Sequence, residues 1–138
     1  MVCLFGKQSI NDEFGTMGYQ APEVFAQNDY DESIDCFSLG VLLYNFVTGQ
    51  MPFAAKTQKK IKELTMKKDP SYKQKAWKQC SPELKTLVQG LLEKDPSQRL
   101  GIDDILAHPW ITTVDAPLDP GMTPKQKKKL YLKRTLLK

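Results

Sequence analysis

Apolar residues along this chain fall at helical spacing rather than in alternation, and one stretch concentrates them. From Asp35 to Thr48 the run Asp-Cys-Phe-Ser-Leu-Gly-Val-Leu-Leu-Tyr-Asn-Phe-Val-Thr puts apolar or aromatic side chains on nearly every side of a helical wheel. Leu39 spaces with Leu42 and Leu43, and Leu43 with Phe46 and Val47, while Val41 and Tyr44 fall on other faces. A helix apolar all round is buried all round, so the pattern predicts the axis of a core, with Leu42 and Phe46 as core residues. It is too short for a bilayer span, which takes about 20 apolar residues. Ser33 or Asp35 can cap its start, and Gly49 stands where a left-handed C-terminal cap belongs.

The remaining pattern arranges itself around that helix. Pro22 opens a short helix running to about Ala26. Residues 56–67 read as a basic amphipathic helix with Ile61 and Leu64 on one side, and 68–80 as irregular chain anchored by Tyr72 and Trp77. Ser81-Pro-Glu-Leu84 is a helix start, with a serine cap and proline at the first position. Leu84, Leu87, Val88, Leu91 and Leu92 follow at helical spacing until Asp95-Pro96. A last helix is opened by Asp103 or Asp104 and runs through Ile105 and Leu106 to Trp110. Nothing alternates long enough for a strand, so the fold class is mainly α.

Composition narrows the setting. The three cysteines Cys3, Cys36 and Cys80 form no CxxC pair and leave an odd thiol, which suits a reducing compartment better than a disulfide framework, and the one histidine, His108, has no cysteine near it, which argues against a zinc site. The start lacks the pattern of a signal peptide, so an intracellular (cytoplasmic or nuclear) protein is expected. Seven of the 20 basic residues lie at 123–138, among them Lys125, Lys127, Lys128, Lys129, Lys133 and Arg134, with no acidic residue there. The remainder holds 13 basic and 16 acidic side chains, so a mildly acidic body ends in a basic tail at 125–138, joined by a Pro- and Gly-containing linker at 114–124. An acidic partner for the tail fits this charge. The tail lacks a clean apolar stripe and interleaved aromatics, and nucleic acid is not the expected ligand.

Four motifs are more specific than their periodicity. Gly15-Thr16-x-x-Tyr19-x-Ala21-Pro22-Glu23 resembles the end of the activation segment of eukaryotic protein kinases. Asp35-x-Phe37-Ser38-x-Gly40 is similar to the start of that family's central buried helix, with phenylalanine where tryptophan is usual, and Gly49-x-x-Pro52-Phe53 to the turn after it. Leu91-Leu-Glu-Lys-Asp95-Pro96-x-x-Arg99, with His108-Pro109-Trp110, resembles the last two helices of the large lobe. Trp77 before Ser81-Pro-Glu leans toward the calmodulin-dependent group of serine/threonine kinases. The resemblance implies a partial kinase large lobe at 15–113, preceded by a degenerate activation-segment start at 1–14.

It also implies roles. Gly15, Thr16, Tyr19, Ala21, Pro22 and Glu23 would form the substrate-docking loop. Glu23 and Arg99 would make the family's buried ion pair, a structural role. Asp35 matches the aspartate that holds the catalytic loop, although here it can simply cap its own helix. Thr16 matches a threonine whose catalytic partners this chain lacks, and a turn residue is the preferred reading. Asp12 falls where relatives carry a phosphorylatable threonine, and reads as a solvated loop residue. Leu42 and Phe46 match positions supporting the stack of side chains that reaches the adenine, and Trp110 a structural position.

Phosphoryl transfer needs a phosphate-cradling loop, a lysine, a catalytic aspartate and metal-binding carboxylates. The sequence has no Gly-x-Gly-x-x-Gly and no His-Arg-Asp, and Leu4-Phe5-Gly6 puts leucine where a Mg²⁺ ligand must offer oxygen. The expectation is therefore a truncated, catalytically incompetent kinase-like scaffold module without catalytic residues, metal or cofactor, whose central helix is covered by a protein partner. The competing expectation is one part of a working serine/threonine kinase, using ATP and Mg²⁺ only when complemented. A third is an architectural subunit of a larger assembly.

Overall fold

Helix formation follows the local signals closely, and the longest helix organises the rest. In the computed structural model of the chain, the structure describes residues 18–26 and 30–112. The expectations on Gly15, Thr16, Asp12, residues 1–14, the linker and the basic tail lie outside the described residues. Among the described residues the elements are α1 (Pro22–Ala26), α2 (Ser33–Thr48), α3 (Gln58–Lys67), α4 (Lys75–Lys78), α5 (Pro82–Leu91), α6 (Ile102–Ala107) and α7 (Pro109–Thr112), with no strand.

Caps set several of these boundaries. Ser81 accepts a hydrogen bond from the Leu84 N–H at 3.2 Å and Pro82 opens α5. Thr57 accepts from the Lys60 N–H to start α3. Gly49 adopts φ +69° and donates its N–H to the Asn45 carbonyl, closing α2. At the start of α2 the N-cap position is Glu32, neither of the expected residues, and it makes no side-chain cap bond. Asp31 accepts from the Ser33 N–H at 2.9 Å, while Ser33 and Asp35 lie inside the first turn. Asp104 is the aspartate that opens α6, accepting from the Gly101 N–H at 3.0 Å.

Two expected elements are corrected. The segment 68–80 contains the short α4, wound around the buried Trp77. The last helix is broken at His108, because Pro109 disfavours helical backbone in the residue before it. His108 Nδ1 accepts from the Trp110 N–H at 3.2 Å, and Nε2 lies 3.3 Å from the Thr86 hydroxyl, so the break is held against α5. Leu106, which falls within the expected run, is exposed.

The core lies between α2 and the later helices. Phe37, Val41 and Tyr44 are enclosed by Phe53, Trp77, Cys80, Leu84, Val88 and Leu92. Cys36 packs with Leu87, Leu91 and Ile105 in a second cluster, which Trp110 also borders. Gly40 permits the close approach: a Cβ there would stand 2.8 Å from Leu91 Cβ. Phe37 and Phe53 lie parallel with centroids 6.2 Å apart, and Tyr72 stacks on Trp77 at 4.6 Å. Burying a side chain such as Phe37 or Val41 contributes roughly 1.5–3 kcal/mol.

One expectation about α2 fails. Leu42 and Phe46 are not core residues: they are 53% and 72% exposed, and Leu39 beside them 37%. The reason is geometric. α4 and α5 pack on the side of α2 that carries Phe37, Val41 and Tyr44. Leu39, Leu42 and Phe46, spaced by three and four residues, form the opposite stripe.

Candidate functional site

The chain between Gly18 and Glu23 is seated on α2 by backbone geometry. Gly18 takes φ +100°, a conformation that L side chains rarely adopt, and a Cβ there would be 3.0 Å from Met51 Cε. The Tyr19 carbonyl accepts from the Ser38 hydroxyl at 2.9 Å, and the same hydroxyl lies 3.1 Å from the Ile34 carbonyl one turn earlier. Ser38 therefore ties this segment to α2. Ala21 is fully buried, Tyr19 packs against the core from a half-buried position, and Pro22 starts α1.

Glu23 is the pivot. It is 6% exposed, and its carboxylate meets Arg99 side-on: Nη1 donates to Oε1 at 2.6 Å and Nη2 to Oε2 at 2.9 Å. Arg99 has no idle donor. Nη1 also donates to the Ser33 carbonyl at 3.0 Å, Nη2 to the Lys94 carbonyl at 3.3 Å and Nε to the Glu93 carbonyl at 2.9 Å. The five N–H groups of the guanidinium thus reach five acceptors. A fork of this kind suits a planar carboxylate and fixes orientation as well as charge. It joins α1, the first turn of α2 and the turn after α5, across 76 residues of sequence.

The turn that delivers Arg99 is self-supporting. Asp95 Oδ1 accepts from the Ser97 N–H at 2.9 Å and the Ser97 hydroxyl at 2.8 Å, which hold the carboxyl below its ordinary value. The Arg99 N–H returns to the Asp95 carbonyl. Beneath the guanidinium, 5.1 Å away, lies the Phe37 ring.

Of the residues expected here, the structure brings together Tyr19, Ala21, Pro22, Glu23 and Arg99. Asp35 sits half-buried in the first turn of α2. Trp110 borders both core clusters. Ser38, Ser33 and Lys94 belong to this neighbourhood and were not among the expected site residues. Ser38 was legible, as the small polar residue in Asp35-x-Phe37-Ser38-x-Gly40. Lys94 carried no signal.

Lys94 is the unusual group. Its ammonium stands 3.8 Å from the centre of the Phe53 ring and 5.6 Å from that of Phe37, buried and without a hydrogen-bond acceptor among the described residues. Burial brings its pKa down to about 8, with Asp69 pulling the other way and Arg99 reinforcing the drop. Among the described residues no group of three or more His, Cys, Asp or Glu is placed to hold a metal, and no helix is long and apolar enough to cross a membrane.

This arrangement is a structural clamp, built on the Glu23–Arg99 pair, with an exposed helix face beside it. Compared with known families, residues 1–111 match the model of the protein kinase domain.

Proposed function

The chain belongs to the protein kinase domain family, and from that premise we propose that these 138 residues act as a protein-binding module of kinase ancestry and do not by themselves transfer phosphate. The observation that carries this reading is the stripe of Leu39, Leu42 and Phe46 on the central helix, exposed while the opposite side of the same helix is enclosed. A contiguous exposed apolar patch marks an interaction surface. The chemistry agrees with it. The residues a kinase uses to cradle phosphates and ligate Mg²⁺ have no counterpart in this sequence, which places Leu4 before Phe5-Gly6. The partner is a protein that covers the stripe, and ATP and Mg²⁺ enter only with a complementing half.

A second reading is favoured by a different observation. The segment Tyr19–Glu23 is seated on α2 and locked by Arg99, as a substrate-docking loop in a working enzyme must be. In that reading the chain supplies the docking part of a serine/threonine kinase whose phosphate-binding and catalytic elements come from elsewhere.

Two measurements test the first reading. Mg²⁺–ATP is expected to leave the melting temperature of the chain unchanged. Native mass spectrometry of the chain from its source is expected to show an added protein mass that Phe46→Asp removes. A magnesium-dependent ATP shift, or a chain that carries no partner with or without the substitution, overturns it.

A further inference from the structure

Charge on the body is sorted by segment. Between residues 56 and 85 stand ten lysines, no arginine and three acidic residues. Elsewhere among the described residues the only lysine and arginine are Lys94 and Arg99, and both turn inward: the Lys94 ammonium is buried and Arg99 is held by Glu23. Seven acidic side chains besides Glu23 lie there, at the start of α2, in the turn after α5 and at the start of α6. The exposed positive charge of the described body therefore comes from one stretch.

α3 is the densest part of that stretch. Its apolar side is taken up by the fold, with Leu64 packed against the core and Thr65 fully buried. Lys59, Lys60, Glu63, Met66 and Lys67 share the other side at steps of three and four, and all five are exposed. Lys60 Nζ meets Glu63 Oε2 at 2.9 Å, and Lys67 and Lys59 add to the pull that holds the Glu63 carboxyl below its ordinary value. Three ammonium groups thus share one carboxylate, and positive charge is in excess. Lys56, before the Thr57 cap, and Lys68, at the C-cap, are exposed as well.

The kind of partner follows from what this face has and lacks. Arginine, whose planar fork reads a carboxylate or phosphate in fixed geometry, is missing from the whole stretch. Its aromatic residues, Tyr72 and Trp77, stack on each other against the core and offer no platform for a base. Lysines on flexible stems around an exposed methionine suit an anionic surface whose charges are mobile and without fixed pattern. A leaflet of acidic phospholipids is such a surface, and each lysine brought near it raises the partition coefficient about fivefold. We infer that the lysine face of α3 is a docking surface for an anionic phospholipid bilayer, with Lys59, Lys60 and Lys67 at the headgroups and Lys56 and Lys68 beside them. The contact is peripheral, since the apolar side of α3 stays in the fold, and salt screens it. The same leaflet repels the acidic elements of the body, which turns α3 toward it. This goes beyond the protein-binding reading and makes no use of the α2 stripe.

Sedimentation of the full-length chain with phosphatidylserine–phosphatidylcholine vesicles tests it. The lysines at 125–138 also attract such lipids, so the measurement is made in a chain with Lys125, Lys127, Lys128 and Lys129 replaced by glutamine. That chain is expected to bind these vesicles, to leave them at high salt and to ignore phosphatidylcholine alone. Lys59→Gln, Lys60→Gln and Lys67→Gln together should lower its partition coefficient at least tenfold with the melting temperature kept. Glu63→Gln, which removes the carboxylate from among the lysines, should raise it about fivefold on the acidic vesicles only. If the triple variant fails to fold, Glu63→Gln alone decides. Equal binding to phosphatidylcholine, or a partition that neither change moves, overturns the inference. So does a chain that ignores both kinds of vesicle but binds poly-glutamate through the same three lysines, because the partner of this face is then an acidic protein.

Discussion

The two sides of α2 are nearly equal in hydropathy and opposite in fate. Phe37, Val41 and Tyr44 are at most 1% exposed, whereas Leu42 and Phe46 on the other side are more than half open. What separates them is the small residues. Cys36 and Gly40, one turn apart, let α5 come close enough for Leu91 and Leu92 to press on the α2 backbone. The Ser38 hydroxyl holds the incoming Tyr19 segment on the helix. The stripe of Leu39, Leu42 and Phe46 has large side chains at each step and no such point of approach. Apolar character says that a face wants cover. Small residues say which face the chain itself covers.

The strongest way to break the packed side is through its ion pair. Removing either partner leaves the other charge buried and unpaired, at a cost of about 3–5 kcal/mol. Glu23→Ala and Arg99→Ala should each lower stability by that order in denaturant unfolding. The double variant should cost much less than the two losses added, because the residues meet directly. Additive losses would detach the pair from the stability of this side.

Gly40 sharpens the comparison more directly. Gly40→Ala puts a Cβ 2.8 Å from Leu91 Cβ and 3.2 Å from the Leu91 carbonyl carbon, and backbone cannot turn aside as a flexible side chain can. The overpacking should cost about 1–3 kcal/mol, although alanine is the better helix former by about 1 kcal/mol. A variant as stable as the parent would show that α5 does not lean on α2 as tightly as the distances imply.

Much of this was legible from local chemistry. The caps at Ser81 and Gly49, the proline starts at Pro22 and Pro82 and the leucine spacing of α5 depend on neighbours a few residues away, and the sequence states them. The direction in which α2 is buried depends on segments far along the chain. Its pattern is apolar on all sides, so periodicity had nothing to resolve, and Leu42 and Phe46 were assigned to the core. The signal that could have corrected this was Cys36 and Gly40 on one face. Pro109 likewise announced the break at His108. The pairing of Glu23 with Arg99 spans 76 residues and was readable only through family resemblance, never from spacing. Helix α4 is four residues long, too short to show a period.

A smaller effect is expected at Tyr44. Its hydroxyl donates to the Ser71 carbonyl and accepts from Gln74 Nε2 at 2.8 Å, tying the irregular segment before α4 to the packed side. Tyr44→Phe keeps the ring among Tyr72 and Trp77 and removes both bonds. The loss should be about 1–2 kcal/mol, with faster amide exchange across residues 69–74 as the accompanying sign. Unchanged exchange there would mean that the rings alone hold the segment.

The smallest effect concerns Lys94, a charge on the packed side whose ammonium has no hydrogen-bond partner among the described residues. Lys94 places its ammonium on the Phe53 and Phe37 rings, and burial lowers its pKa from 10.5 to about 8. In the unfolded chain lysine titrates near 10.4. Between these two values the unfolded state binds more protons, so the contribution of this group to stability rises with pH through that window and is constant below it. The cost opposed by the rings is partly returned, since an ammonium over an aromatic face gains about 0.5–2 kcal/mol, and Asp69 also favours the charged form. Lys94→Met keeps the length of the side chain and removes the charge. At pH 7 the variant should equal or exceed the parent by less than about 1 kcal/mol, because an apolar replacement of a buried charge is often neutral or stabilising. Its advantage should shrink between pH 8 and 10.5 as the parent's lysine gives up its proton, with the other groups that titrate there common to both chains. A difference between the two that stays flat across this window, in thermal unfolding at matched ionic strength, would mean that the rings and Asp69 fully compensate the burial. The packed side of α2 would then hold a charge at no cost, and only the stripe of Leu39, Leu42 and Phe46 would remain as the unfinished face of the helix.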